Sequence, residues 1–288
     1  MIQYPCAAYG IQTRVLEAGA GPALVFIHGL GARADRWRHN LEPLAAAGYR
    51  CIAIDLPGHG FAGKANIAPF SVPRCADWLA AILQQIGAEH YALVGTSLGG
   101  YIAATIACRS PQQVGALVLV GTLGIVPMGE EARAAISSRF GTVSREGIER
   151  KLRTVLFDPG LVTPAWIEEE WRINNSPGAH EAFACIADYI RDGIDDDVIG
   201  GQLAAMDDRR HSTAVIWGLE DKAVPVNVGH RCREILQPAL YNEIPETGHG
   251  PYLEQPQVFN ELLKGFLACE GVYPPASGVR DRQTAPSA

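Results

Sequence analysis

The feature that most constrains the fold is the pentapeptide Gly95-Thr96-Ser97-Leu98-Gly99, which lies between an apolar run and an alanine-rich stretch. The run over residues 91–94 has strand character, and the stretch that begins at residue 98 has helical character. A strand that turns sharply into a helix leaves no room for side chains at the flanking positions. Glycine at positions 95 and 99 supplies that room and allows unusual backbone angles. The pattern therefore predicts a sharp strand-to-helix turn from which the Ser97 hydroxyl projects.

Apolar runs alternate with helical patterns along most of the chain. The runs are nearly continuous in apolar character, as in strands that are buried on both faces of a parallel sheet; they cover residues 15–17, 23–28, 51–55, 91–94, 116–120, 214–217 and 240–244. Helical patterns cover residues 37–47, 72–86, 98–109, 227–236 and 257–269, with Ser71 as the N-cap of the second. This alternation predicts an α/β fold with a mostly parallel central sheet flanked by helices.

Residues 123–208 break the alternation because they contain helical, charge-rich segments and no convincing strand. We interpret them as a helical cap inserted between two strands, and we assign residues 1–122 and 209–270 to the core. Residues 271–288 contain three prolines and several Ser, Thr and Arg residues, and they are predicted to form a flexible tail.

Composition excludes several classes of function. The 288 residues suffice for one large domain with an insertion, and the net charge of −7 does not favour nucleic acid or an anionic membrane surface. We find no secretory signal and no apolar stretch of the roughly 18 residues that a membrane span needs. The cysteines are scattered without C-x-x-C spacing, which favours buried thiols in a reducing cytoplasm and no metal site; they are Cys6, Cys51, Cys75, Cys108, Cys185, Cys232 and Cys269.

Two side chains downstream of Ser97 could activate its hydroxyl. A serine hydroxyl is a poor nucleophile unless a base takes its proton, and that base needs an orienting carboxylate. Asp221 lies just past the run at 214–217, and His249 lies just past the run at 240–244. In open α/β sheets, ligands bind at the carboxyl ends of the strands. We therefore predict that Ser97, Asp221 and His249 form a catalytic triad at that edge, with no need for a cofactor.

The order Ser97, Asp221, His249 resembles the nucleophile–acid–base order of the α/β-hydrolase family. Two further motifs carry the same resemblance: His28-Gly29-Leu30-Gly31 after one strand and Asp55-Leu56-Pro57-Gly58-His59-Gly60 after the next. The resemblance covers about residues 10–270. It implies the α/β-hydrolase fold and an oxyanion hole formed by the backbone N–H groups of Leu30 and Leu98, whereas His28 and His59 are expected to hold backbone turns.

The cap resembles that of hydrolases that cleave ring-fission (meta-cleavage) products at a carbon–carbon bond. The similar stretch covers residues 156–171. That family usually carries an arginine for the substrate carboxylate just before the aromatic residue at its end, whereas Glu170 precedes Trp171 here. A substrate carboxylate would meet like charge there, unless Arg172 or another basic residue compensates.

Other positions also depart from that family's usual residues. Thr96 replaces its Asn, Pro251 replaces its Trp, and Leu30-Gly31-Ala32-Arg33 replaces its S/A-G-P-G loop. We therefore predict a carboxylesterase for neutral esters of small to medium acyl chains, with the carbon–carbon bond hydrolase as the alternative. Lactonase, thioesterase and perhydrolase activities use the same triad, and a non-catalytic ligand-binding protein of this fold also stays open. The expected partner is a small-molecule ester, and a homodimer is left open.

The cap is expected to supply the walls of the substrate pocket. Any of these apolar side chains could equally belong to the core of the cap. The predicted wall residues are Leu123, Ile125, Met128, Phe140, Leu156, Trp166 and Trp171.

Overall fold

A computed structural model describes residues 1–141, 143–206 and 212–269, together with Tyr273. Its eight-stranded sheet has the order β1-β2-β4-β3-β5-β6-β7-β8. Strand β2 pairs antiparallel with both β1 and β4, and all other neighbouring strands pair parallel. The predicted mostly parallel α/β sheet is thereby confirmed. The strands are β1 Ile2–Ala8, β2 Ile11–Ala18, β3 Ala23–Ile27, β4 Arg50–Ile54, β5 Tyr91–Thr96, β6 Val114–Val120, β7 Thr213–Gly218 and β8 Leu240–Ile244.

Strand β1 has no counterpart in the sequence prediction. It is an edge strand that pairs with β2 alone, from Ile2 opposite Glu17 to Ala8 opposite Ile11. Most of its side chains are exposed, so it lacks the continuous apolar run that marks the buried strands. Pro5 is tolerated because an edge strand leaves one side of its backbone unpaired.

Helices cover both faces of the sheet. The side chains of β3 alternate between two cores: Val25 and Ile27 pack on one face, and Leu24 and Phe26 on the other. The second of the flanking helices begins where predicted, because Ser71 Oγ accepts the Arg74 N–H at 3.3 Å. The flanking helices are α1 Arg38–Ala46, α2 Val72–Gln85, α3 Leu98–Arg109, α9 Val226–Leu236, α10 Pro251–Glu254 and α11 Pro256–Ala268.

Between β6 and β7 the described part of the chain forms helices and no strand. They are α4 Glu130–Arg139, α5 Arg145–Val155, α6 Pro164–Asn174, α7 Ala179–Asp192 and α8 Gly200–Ala204. Helices α5 and α6 share a small core with the turn between them, centred on Leu152 and Leu156. The division of the chain into core and cap stays a prediction, and its boundary at residue 208 lies outside the described residues.

The predicted tail also lies outside the described residues, except for Tyr273. The hydroxyl of Tyr273 donates to the His90 carbonyl at 3.1 Å, and its own carbonyl accepts from the Tyr49 hydroxyl at 3.1 Å. Among the residues that the structure describes, no helix is long and apolar enough to cross a membrane.

Candidate active site

Ser97 occupies the sharp turn between β5 and α3. Its backbone angles are φ 54° and ψ −120°, a strained conformation that few side chains adopt. A Cβ on Gly95 would lie 2.3 Å from the Gly99 carbonyl oxygen, and one on Gly99 would lie 2.3 Å from that of Ile27. Both flanking glycines are therefore required by close backbone approach, as the sequence pattern predicts.

His249 and Asp221 meet beside this turn. The Nδ1–H of His249 donates to Asp221 Oδ2 at 2.6 Å, and Asp221 Oδ1 accepts the N–H groups of Ala223 and Val224 at 2.8 and 2.9 Å. This network leaves Nε2 of His249 as the free proton acceptor. Burial lowers the pKa of His249, but the Asp221 carboxylate outweighs burial, so the pKa is raised.

Ser97 and His249 line one cavity, so the structure brings the three predicted catalytic residues together. Within the described part of the chain, no hydrogen bond joins Ser97 Oγ to His249 Nε2. In substrate-free sites such bonds are often long and tighten only when the substrate binds.

The N–H groups of Leu30 and Leu98 have no hydrogen-bond acceptor among the described residues, and both residues line the same cavity. The loop that carries Leu30 passes directly over the nucleophile, because a Cβ on Gly29 would lie 2.9 Å from Ser97 Cβ. Leu98 is the first residue of α3, where backbone N–H groups lack helical partners and the helix dipole favours an anion. The two N–H groups are thus available to a developing oxyanion.

The side chains of two other histidines near the site form hydrogen bonds with backbone groups. His28 Nδ1–H donates to the Gly29 carbonyl at 2.8 Å, and its Nε2 accepts the Leu56 N–H at 2.9 Å. His59 Nδ1–H donates to the Pro57 carbonyl at 3.0 Å. Burial lowers the pKa of His28 to about 4 and that of His59 to about 3, so both are neutral at pH 7.

The cavity over Ser97 has a volume of about 750 Å³, which suits a small molecule. Five of the predicted wall residues line it, namely Leu123, Met128, Phe140, Leu156 and Trp166. Ile125 and Trp171 do not. Ile125 is packed in the core, with its carbonyl oxygen against Gly200. Trp171 lies five residues after Trp166 on α6, which turns it to another face, where the Arg145 guanidinium stacks on its ring at 3.6 Å.

Cationic side chains line this cavity, and no Asp or Glu side chain does so among the described residues. The cations are Arg36, Arg139, Arg150, Lys151 and Lys222. Lys151 reaches in from α5, and its Nζ donates to the Gly31 carbonyl at 2.6 Å. Burial lowers the pKa of Lys151 to about 8, so the ammonium is mostly charged at pH 7.

Glu170 does not face the cavity. Its side chain is buried, and its Oε1 accepts from Arg33 Nη1 at 2.5 Å and from Arg36 Nη2 at 2.9 Å. Burial raises the pKa of Glu170, but Arg36 and the neighbouring cations outweigh burial, so the carboxylate is charged. Arg172, which the sequence offers as a compensating base, is instead exposed and pairs with Glu168 at 2.9 Å.

Sequence reasoning missed Arg36, Lys151 and Glu254 as residues of this site. Arg36 and Lys151 carry no motif, and only the packing of α5 and α6 over the strand ends makes them part of a cavity wall. Glu254 had a usable signal, because it follows His249 by five residues, within reach of the loop that carries the histidine. No group of three or more His, Cys, Asp or Glu side chains could hold a metal ion among the described residues.

Comparison with known proteins places the chain among hydrolases. A model of the alpha/beta hydrolase fold matches residues 22–256. A 2-hydroxymuconate semialdehyde hydrolase from a Pseudomonas species is 30% identical over 266 residues, which cover 91% of this chain and 92% of that protein.

One further protein sequence and one solved structure are also similar to this chain. A dihydrolipoyllysine-residue acetyltransferase component of an acetoin cleaving system from Cupriavidus necator is 31% identical, covering 90% of this chain and 67% of that protein. The structure of a meta-cleavage product hydrolase from Pseudomonas fluorescens, a mutant complexed with acetates, matches with a TM-score of 0.79 at 25% identity, covering 92% and 97% of the two chains. This chain therefore belongs to the α/β-hydrolase fold family and is a hydrolase.

Proposed function

We propose that this chain is a serine hydrolase for small substrates that carry a carboxylate. The reaction that best fits is hydrolysis of the carbon–carbon bond of a 2-hydroxy-6-oxo-dienoate, the kind of compound that ring fission produces. The observation that carries the proposal is the charge of the cavity over Ser97, which five cationic side chains and no Asp or Glu line among the described residues. Of these five cations, Arg36 pairs with a carboxylate behind the wall, that of Glu170 at 2.9 Å. The similarity to a 2-hydroxymuconate semialdehyde hydrolase supports it.

The buried position of Glu170 removes the strongest sequence argument against a carboxylate substrate. A Glu170 carboxylate that faced the cavity would repel a substrate carboxylate. In the structure this carboxylate is buried and pairs with Arg33 and Arg36, and its charge also favours the ammonium form of Lys151, so three cations surround it. Lys151 can instead meet the substrate carboxylate, because it lines the cavity and forms no ion pair within 4 Å among the described residues.

In the first half of the proposed reaction, Ser97 Oγ attacks the substrate ketone while His249 takes the hydroxyl proton. Asp221 orients the imidazole and stabilises the imidazolium. The ketone oxygen becomes an oxyanion, which the N–H groups of Leu30 and Leu98 hold. Each such donor is worth about 3 kcal/mol of barrier.

The carbon–carbon bond next to the former ketone then breaks. The electron pair can be delocalised because the 2-hydroxy-dienoate has ketonised before the attack: its 2-hydroxyl proton is lost and C5 gains a proton, which gives the 2-oxo-3-ene form. The pair therefore passes from C5 through the C3–C4 double bond to the 2-oxo oxygen, and this portion leaves as a dienolate that receives a proton from His249. The cations of the cavity stabilise the charge that develops on this portion. Water then attacks the acyl-enzyme with His249 as base, so one water is consumed and Ser97 is restored.

Ester hydrolysis is the second candidate, and the apolar half of the cavity favours it. Ile136, Phe140, Phe183, Ile190 and Ile194 line the cavity and would suit a small to medium acyl chain. The same nucleophile, base and oxyanion donors would act, with an alcohol as the leaving group in place of the dienolate.

Paired substrates test the proposal. One pair is 2-hydroxy-6-oxo-hepta-2,4-dienoate and its methyl ester; the other is p-nitrophenyl hydrogen succinate and the neutral p-nitrophenyl pentanoate. We expect dienoate cleavage, and in each pair a kcat/KM that favours the member with the carboxylate. Ser97→Ala should lower kcat by several orders of magnitude in an intact fold.

The outcomes separate the candidates. Turnover of p-nitrophenyl esters without dienoate cleavage would establish the carboxylesterase instead. Equal kcat/KM within both pairs would refute the carboxylate preference. Turnover that persists in Ser97→Ala would refute Ser97 as the nucleophile.

A further inference from the structure

Glu254 accepts hydrogen bonds from the loop that carries His249. Its Oε1 accepts the N–H groups of Gly248 and Gly250 at 2.9 and 3.3 Å, and these residues flank the histidine. Its Oε2 accepts the Phe157 N–H at 2.6 Å. One carboxylate therefore joins the histidine loop to the residues that follow α5.

The backbone of His249 makes a second connection to the same helix end. The His249 N–H donates to the Val155 carbonyl at 2.7 Å, and Val155 is the last residue of α5. The loop lies directly against this helix end, because a Cβ on Gly248 would lie 2.7 Å from the Val155 oxygen. The main chain of His249 is thus fixed on both sides of its Cα.

We propose that Glu254 is a positioning residue for His249, acting through the Gly248 and Gly250 N–H groups and through the end of α5. This inference rests on the proposed function, in which His249 is the catalytic base. Asp221 fixes the imidazole ring, and Glu254 fixes the backbone from which the ring projects. Helix α5 serves both sides of the site, since Lys151, one turn before Val155, holds the Gly31 carbonyl.

The charge of Glu254 also acts on His249. The described charged groups that act on the imidazole are Asp221 from the loop after β7 and Glu254 from α10. Lys222 and Lys151 line the same cavity as the imidazole. Helix α5 presents the Val155 carbonyl to the histidine loop, and the turn after β6 presents Gly121 to the imidazole. Among the described residues no cation pairs with Glu254, and its charge contributes, after Asp221, to the raised pKa of His249.

Substitutions of Glu254 can separate geometry from charge. Glu254→Gln keeps the size and one acceptor oxygen, but it removes the charge and sets an amide N–H₂ against a backbone N–H. Glu254→Asp keeps the charge and withdraws it by one methylene, so the hydrogen bonds stretch. Glu261→Gln is the matched control, because Glu261 lies on α11 and is exposed beside Lys264.

The experiment measures phosphonylation of Ser97 by a fluorophosphonate as a function of pH, with mass spectrometry to identify the modified serine. The serine oxygen displaces fluoride from phosphorus, and its proton passes to His249. This assay needs no knowledge of the natural substrate. Because the imidazole must be neutral, the inactivation rate rises with pH through the pKa of His249.

We expect Glu254→Gln to lower the maximal inactivation rate about tenfold to hundredfold, with the half-saturating concentration within threefold of wild type. Loss of the negative charge lowers the pKa of His249, so the acid limb moves to lower pH. Glu254→Asp should lower the rate and leave the acid limb near its wild-type position, and Glu261→Gln should match wild type.

Two results would overturn the inference. One is a Glu254→Gln inactivation rate within twofold of wild type with an unmoved acid limb. The other is slower labelling in both Glu254→Gln and Glu254→Asp, with the acid limb of each at its wild-type pH. The second result is what general loosening of the fold would produce. Failure of the part of the proposed function on which this inference rests, His249 as the base, looks different, because His249→Ala would then be labelled as fast as wild type. Failure of the carbon–carbon reaction alone would leave this labelling pattern unchanged and would appear only with the paired substrates.

Discussion

The cations near the active site form two groups that have opposite surroundings. On the α6 side, Arg33 and Arg36 are buried against Glu170, and the Arg36 guanidinium stacks on the Trp166 ring at 4.1 Å. On the side of α4 and α5, Arg139, Arg150 and Lys151 have no carboxylate within 4 Å among the described residues. The first group joins α6 to the loop after β3. Within the described part of the chain the second group forms no ion pair of its own, although Glu170 acts on Lys151 over a longer distance, and it leaves positive charge for a ligand. A position near the cavity is therefore not enough to identify a cation that can bind an anion; the cation must also lack a carboxylate partner in the protein.

The largest expected effect comes from a substitution that breaks the first group of ion pairs. Glu170→Gln leaves Arg36 buried without a carboxylate among the described residues, while Arg33 keeps Asp35 and Glu169. Removing one partner of a buried pair costs about 3–5 kcal/mol. We expect the free energy of unfolding, measured by urea denaturation, to fall by that amount. Glu168→Gln on the same helix is the matched control, because its ion pairs are exposed and worth about 0–1 kcal/mol. Equal losses in the two variants would show that the buried cluster adds no stability of its own.

The next effect concerns the second group. Lys151→Met keeps the length of the side chain and removes its charge, and a hydrogen bond to a charged group is worth about 1.5–3 kcal/mol. We expect kcat/KM to fall about tenfold to hundredfold for p-nitrophenyl hydrogen succinate. The value for p-nitrophenyl pentanoate should change less than threefold. An equal loss of kcat/KM for both esters would show that Lys151 only supports the loop that contains Gly31 and does not bind the substrate carboxylate.

A smaller effect follows from the pKa of Lys151, which burial lowers to about 8. The ammonium is charged below that pH and loses its proton above it, so attraction for a substrate carboxylate is lost as pH rises through about 8. We expect KM for the carboxylate-bearing ester to rise severalfold between pH 7 and pH 9, while KM for the neutral ester stays constant. The rise should be absent from Lys151→Met, and its persistence there would assign it to another group.

The smallest effect belongs to the exposed rim of the cavity. Arg139 is exposed to solvent, so its attraction for an anion is screened by salt. Arg139→Gln should raise KM for the carboxylate-bearing ester about twofold to threefold in low salt and not measurably in 1 M salt. A loss that survives high salt would place the guanidinium in direct contact with bound substrate.

The prediction from sequence succeeded wherever a few neighbouring residues set the geometry. The turn at Ser97, the N-cap at Ser71 and the buried strands follow from glycine sterics, capping and apolar runs, all of which are local. Strand β1 escaped prediction because an exposed edge strand needs no apolar run. The wall position of Trp171 was wrong because apolar character alone does not say which face of α6 points into the cavity.

The sequence by itself determined the fold class, the order of Ser97, Asp221 and His249, and their place at the carboxyl ends of strands. These follow from local sterics and from the alternation of strands and helices along the chain. The tertiary structure alone decided the charge of the cavity. Glu170 is neutralised by Arg33, which lies 137 residues away in sequence, and Lys151 meets Gly31 across 120 residues. Electrostatics depends on distance in space and on burial, and neither can be deduced from spacing along the chain.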